Sequence, residues 1–334
     1  MFYRNKIEQV FKNILTSGIS QKIFSFSDGS IATILMLHRV DNIDTCRFLC
    51  NEHLKISEVF LENLILDFKK KGFIFVSIDE LFNNLNKNAN NKKMVVITLD
   101  DGYKDNITKG LPVFKKHNVP FVVYVTTGMV EHEFIYWWYL LEDLISQNNS
   151  IILSDGSVYN CKSKKDKEAT FMRIRQKIMS INPKNFSEIF TKLFSNYKID
   201  LYKYNDILPM SWEDVRLLVD EPLATVGSHT HSHINFKFFN ELEIVSDIKK
   251  ANILFKQKVN FKPNHFCYPY GDNLSPRDER IVKSLGFKTA VTASVGNIYS
   301  NYKDKLFSLP RIFVAENANP NIFKHMTWLK YKNK

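Results

Sequence analysis

The stretch that most constrains this chain is Val95-Val96-Ile97-Thr98-Leu99-Asp100-Asp101-Gly102. Its apolar, β-branched run is the pattern of a strand buried on both faces, as in a parallel sheet. Gly102 lets the chain turn sharply as it leaves that strand. In α/β folds, sites are built at the C-terminal ends of such strands. Two adjacent carboxylates there pack poorly, but they can divide labour: one binds a cation while the other stays free as a base. Capping of a following helix accounts for the pair equally well at this point.

The flanking sequence repeats the theme. Apolar runs at 31–37, 73–77, 93–99 and 121–126 alternate with amphipathic segments at 57–71 and 111–117. Ser77-Ile78-Asp79-Glu80 reads as a capping box, and Ser275-Pro276 as a helix start with proline at its first position. Further strand runs lie at 224–228, 265–268, 287–292 and 307–314, with a long helix from Asn240 to Lys258. Strand–helix alternation predicts a parallel sheet, and seven or eight strands suit closure into a barrel. The fold expected is α/β: a distorted (β/α) barrel of about seven parallel strands. Residues 131–210 interrupt the rhythm and read as a mostly helical insertion on the site side. Trp137 and Trp138, in the aromatic run Phe134 to Leu141, are expected in its core. Residues 1–30, with Ile7, Val10, Phe11, Ile14 and Leu15 at helical spacing, read as an N-terminal helical segment ahead of a barrel spanning 31–334.

Ala224 to Ser228 runs into His229-Thr230-His231-Ser232-His233. Residues 229 and 233 are one helical turn apart, so both imidazoles can face one point if the segment coils, while His231 lies on the other face. Histidine with aspartate suits a borderline divalent cation such as zinc.

The net charge of +11 is spread along the chain. Its densest groups, Lys69-Lys70-Lys71 and the C-terminal lysines, are those of solvated ends, and no nucleic-acid module is recognisable. Four cysteines at 46, 50, 161 and 267 do not complete a zinc ribbon and suit reduced thiols. No uninterrupted apolar leader or span of ~20 apolar residues occurs. These features lead to the expectation of a cytoplasmic protein, with peripheral contact at the inner membrane surface through the first segment as the lesser reading.

Thr98-Leu99-Asp100-Asp101-Gly102, His229 to His233 and Phe266-Cys267-Tyr268-Pro269-Tyr270-Gly271 resemble, in order and spacing, the three motifs of the polysaccharide deacetylases, the NodB-homology family. The resemblance spans roughly residues 31–314. It implies a divalent metal, usually zinc, held by Asp101, His229 and His233, with Asp100 as catalytic base. Tyr270, beside the proposed site, is the expected oxyanion and substrate residue. The third motif often carries an arginine that tethers the base, and Cys267 stands in its place. Arg311, in Leu309-Pro310-Arg311-Ile312, is the candidate replacement. Met36-Leu37-His38-Arg39 resembles the early element of the poly-N-acetylglucosamine deacetylase branch, whose histidine is the general acid; that assigns His38.

The expected function is removal of an N-acetyl or similar acyl group from a sugar in glycan or glycolipid biosynthesis. The implied substrate is an acylated sugar, lipid-linked or nucleotide-linked, with no nucleic-acid partner. Two alternatives remain: a non-catalytic glycan-binding protein on the same fold, and a deformylase or other amidase acting on a small or lipid-linked sugar.

Overall fold

Side chains that alternate between two buried faces along the strands set the architecture. In the strand β5 (Met94–Leu99) every residue is buried, but its two faces join different cores. Met94 and Val96 pack with Ile34, Val122, Tyr124, Cys267, Val291 and Leu309, while Val95, Ile97 and Leu99 pack against helical side chains such as Leu61, Leu64 and Phe114. One face therefore lines a barrel interior and the other seats the surrounding helices.

The computed structural model describes residues 30–43, 50–87, 94–181, 183–271 and 274–316. Almost all of the expected N-terminal helical segment lies outside the described residues. The remaining strands of the main sheet are β1 (Ser30–Leu37), β4 (Ile74–Phe75), β6 (Phe121–Val125), β9 (Ala224–Ser228), β10 (His265–Cys267), β11 (Thr289–Val295), β12 (Ile298–Tyr299) and β13 (Leu309–Phe313). Seven parallel strands close in the order β1-β5-β6-β9-β10-β11-β13 and return to β1. β4 adds parallel to β5, and β12 adds antiparallel to β1. A separate pair, β2 (Arg39–Val40) and β3 (Lys55–Ile56), sits beyond the end of β1.

Helices α1 (Glu58–Lys70), α2 (Ile78–Asn86) and α3 (Leu111–His117) fill the first crossovers. The Ser77–Glu80 capping box forms with both reciprocal hydrogen bonds, and α3 ends at Asn118, which takes the left-handed conformation of a helix C-cap. Between β6 and β9 run α4 (Thr127–Val130), α5 (Trp137–Gln147), α6 (Lys164–Met179) and α7 (Phe186–Leu193), with a hairpin of β7 (Ser150–Ile152) and β8 (Val158–Asn160). This region has a core of its own, including Leu141, Ile145, Phe171, Ile174, Phe190 and Phe194. Helices α8 (Trp212–Asp220), α9 (Glu241–Val259) and α10 (Pro276–Ser284) complete the outer layer.

Gly227 in β9 is required by close packing. A Cβ there would lie 2.3 Å from Cδ1 of Tyr124, the ring that fills the barrel axis. Alanine at 227 therefore forces Tyr124 to move.

Candidate active site

The inward register of β5 carries on past its last residue. Asp100 points to the barrel axis, where it meets Arg311 on the inward face of β13. The contact is bidentate: Arg311 Nη1 and Nη2 each donate to one Asp100 carboxylate oxygen at 2.7 Å. Arg311 also donates to Thr98 Oγ1, the Cys267 sulfur and the Thr292 carbonyl. Both partners are almost fully buried, at 1% and 3% exposure. Burial alone raises a carboxyl pKa, but the guanidinium charge and its hydrogen bonds outweigh that and hold Asp100 below the usual range. Cys267 is small enough to leave room for the guanidinium, which enters from a different strand. The capping alternative for the aspartate pair falls away, because neither carboxylate caps a helix among the described residues.

Asp101 turns the other way. Its φ of 77° swings its carboxylate out of the strand register, towards the histidines. Asp101 Oδ1 lies 3.5 Å from His229 Nε2 and 3.3 Å from His233 Nε2. One ligand atom from each of the three residues falls within a 4.8 Å spread. His229 Nδ1 donates to the Cys267 carbonyl at 2.8 Å, which fixes the tautomer and leaves Nε2 with a lone pair that could ligate a cation.

The histidines do not converge through a helical turn, as their spacing suggested. Residues 229–233 form a loop, with Thr230 at φ 67° and His233 at φ 50°. Seven non-glycine residues among those described have positive φ, and four of them, Asp101, Thr230, His233 and Tyr270, lie in the three motifs. Non-glycine residues pay for this conformation in strain, which persists where surrounding structure imposes it, as at ligand-binding sites. His231 points away from the ligand atoms. It is held by Thr127 Oγ1 at 2.9 Å and Glu133 at 3.1 Å, and Asp247 accepts from its backbone N–H. It braces the loop.

The donor set fits a divalent cation. Burial disfavours charge on Asp101, yet hydrogen bonds from His229 and His233 hold it well below the usual carboxylate range. Burial likewise lowers the basicity of His229, but Cys267 and the two aspartates reverse this and push its pKa well above normal. Burial, helped by the His229 charge, pushes His233 the other way, and a cation bound by one oxygen and two nitrogens matches the three side chains. A second group, Asp100, His229 and Cys267, is equally compact. Arg311 already supplies its positive charge, so that position does not suit a metal.

His38 stands at the end of β1, in the gap before β2. Its ring meets Phe313 edge-on at 5.8 Å. Its Nδ1 is buried and has no hydrogen-bond partner among the described residues. The neighbouring Arg39 was not singled out from sequence. It donates to Asp105 at 2.7 Å, Asp41 at 2.9 Å and the Tyr139 hydroxyl at 3.0 Å, tying the end of β1 to α5. Tyr270 places its ring 4.9 Å from that of His233, and among the described residues nothing accepts from its backbone N–H.

The insertion also reaches the site. Trp137 and Trp138 are buried as expected, yet the Trp138 ring lies 6.3 Å from that of His233, tilted to it, and Trp137 lines a cavity together with His233 and Tyr270. Three buried groups here, the Tyr103 and Tyr136 hydroxyls and Trp138 Nε1, lack hydrogen-bond partners among the described residues. Burial, with the Asp101 charge second, pushes both phenols well above their normal pKa, so they remain neutral donors. An unpaired buried hydroxyl costs about 1–3 kcal/mol, which bound substrate or water recovers. Tyr136→Phe is thus expected to raise Tm by a few degrees while lowering kcat/KM about tenfold or more. A drop in Tm with unchanged kcat/KM makes the hydroxyl purely structural.

The family model for polysaccharide deacetylase matches residues 87–290, a span that holds both aspartates, the histidines and Tyr270. The chain belongs to the polysaccharide deacetylase family. A Streptococcus pyogenes deacetylase, PplD, solved with acetate, is 17% identical with a TM-score of 0.59, over 89% of this chain and 99% of that one. IcaB from Ammonifex degensii is 19% identical with a TM-score of 0.58, over 90% and 97%. A de-N-acetylase from Aggregatibacter actinomycetemcomitans is 14% identical with a TM-score of 0.52, over 89% and 98%. At these identities the structures share the deacetylase barrel. No curated protein matches the chain. As a family member the chain is a sugar deacetylase, and this family is generally metal-dependent.

Proposed function

We propose that this deacetylase removes an N-acetyl or similar acyl group from an amino sugar that is lipid-linked or nucleotide-linked, within cytoplasmic glycan or glycolipid biosynthesis. The observation that carries the reading is the division of labour between two neighbouring carboxylates. Asp101 converges with His229 and His233, while Asp100 is clamped by Arg311 and kept out of that group. Asp101, His229 and His233 would hold the cation, with zinc the best match to one oxygen and two imidazoles. When bound, the cation supplies a Lewis acid that polarises the acyl carbonyl and acidifies water.

The chain's own residues do the rest. Asp100, kept ionised by Arg311, accepts the proton of the attacking water. The Tyr270 N–H points a dipole at the developing oxyanion. His38 donates a proton to the departing amine, which leaves poorly as an anion. A glycan-binding role without turnover has less support, because base, ligand set and acid are all intact.

Acetate release from N-acetylglucosamine glycosides, measured with and without a chelator, tests the reading. Activity is expected to vanish on metal removal and return with zinc; activity that survives complete removal sinks it. His38→Ala is expected to lose amide hydrolysis by about 10²-fold or more, while an activated ester is still cleaved. Equal loss on both substrates removes His38 from the acid role.

A further inference from the structure

A cavity of about 420 Å³ adjoins the candidate site and includes His233 and Tyr270 in its lining. Its other walls come largely from the insertion: Phe134, Trp137, Ile178, Met179 and Phe186, faced by Phe238 from the segment after the histidines. Two ion pairs on its solvent-exposed edge, Lys184–Glu243 at 2.5 Å and Lys250–Glu133 at 3.1 Å, connect α9 to the insertion and to the loop that follows β6. The edge is charged, the wall from the insertion is aliphatic and aromatic, and His231, Ser232, Asn235 and Asp247 add polar groups to the rest of the lining.

That lining selects by chemistry. A pyranose carries its hydroxyls around its rim, and Ile178, Met179 and Phe186, unlike Ser232, Asn235 and Asp247, offer them no hydrogen-bond partner. A buried hydroxyl without a partner is disfavoured. The methyl of an acetyl group fills little of 420 Å³. A flexible hydrocarbon chain suits such walls, because methionine and isoleucine adapt to its shape and each buried methylene gains up to about fourfold in affinity. We infer that the cavity binds a hydrocarbon chain carried by the substrate sugar, entering alongside His233. The inference rests on the deacylation reading above and names what that substrate carries. Two sources share this chemistry: an amide-linked acyl chain longer than acetyl, and a lipid on the anomeric oxygen.

The test measures equilibrium binding to the full chain loaded with zinc, without relying on turnover. Three probes are compared: the methyl glycoside of N-acetylglucosamine, its octyl glycoside, and the methyl glycoside of N-octanoylglucosamine. One octyl probe is expected to bind at least tenfold tighter than the methyl N-acetyl probe. The octyl glycoside winning assigns the cavity to an anomeric lipid, and the octanoyl amide winning assigns it to the acyl group. Met179→Asp and Phe186→Ser, each checked for an unchanged Tm, are expected to abolish the gain. Met172→Asp, on an exposed part of α6, is expected to keep it. Equal binding of all three probes overturns the inference, as does a gain that persists in both cavity variants. Octyl binding with no hydrolysis of any probe upholds the cavity and sinks the enzymatic reading. Hydrolysis without any chain-length gain does the reverse.

Discussion

Asp100→Asn is expected to lower kcat by about 10²–10⁴-fold and to leave bound metal unchanged. The amide keeps the volume of the carboxylate and can still accept from one Arg311 nitrogen, but it takes no proton from water. Because Asp100 stands outside the Asp101, His229 and His233 group, the ligand atoms are untouched. The matching variant on the other side, Asp101→Ala, is expected to lose metal and activity together. Metal content by elemental analysis, beside acetate release, separates the two. An Asp100→Asn protein that turns over normally, or that loses its metal, contradicts the division of labour.

Arg311→Met is expected to be the most destabilising single change in the site. It leaves the Asp100 carboxylate buried and unpaired, and breaking a buried pair in this way costs about 3–5 kcal/mol. The pH dependence gives a sharper reading. In the wild type the folded-state pKa of Asp100 is depressed, so its contribution to stability is present above the unfolded value of about 3.9 and fades as pH falls through the folded one. Without Arg311, burial dominates and the folded pKa rises. The variant's deficit should then be largest near neutral pH and shrink on acidification, as the buried carboxyl takes up a proton. The acid limb of its pH–rate profile should move to higher pH as well. Thermal unfolding between pH 5 and 8 checks the first effect, and a deficit independent of pH counts against the pairing as the cause.

Much of this was readable in the chain because barrels translate register into position. In β5 a strict alternation puts 94, 96, 98 and 100 on the axis, so an apolar run ending in Asp100 already aims that residue inward. The same alternation in Leu309-Pro310-Arg311 aims Arg311 at it from β13, although Arg311 stood out in the sequence only as a replacement for the tether that Cys267 displaces. The route by which the histidines meet was not readable. Spacing of four suggests a helical turn, whereas tertiary contacts hold Thr230 and His233 left-handed, a conformation that propensity opposes. Nor did local pattern place Tyr136 and Trp138 beside the ligand atoms. Their position depends on how the insertion folds back over the barrel, and the aromatic run carried only the signature of burial. Arg39 escaped notice because its partners, Asp105 and Tyr139, are distant in sequence.

The closure of the sheet has a consequence for biosynthesis. β1 pairs with β5 on one side and with β13 on the other, so the first strand made waits for the last. While the ribosome is still translating, Leu35 and Met36 cannot meet Ile312 and Phe313, and the nascent sheet keeps two open edges that invite wrong pairing. Such a long wait favours slow maturation and holding by a chaperone. Arg311 arrives on that same final strand, so Asp100 gains its counterion only when the ring is sealed; nascent chains are inert until then.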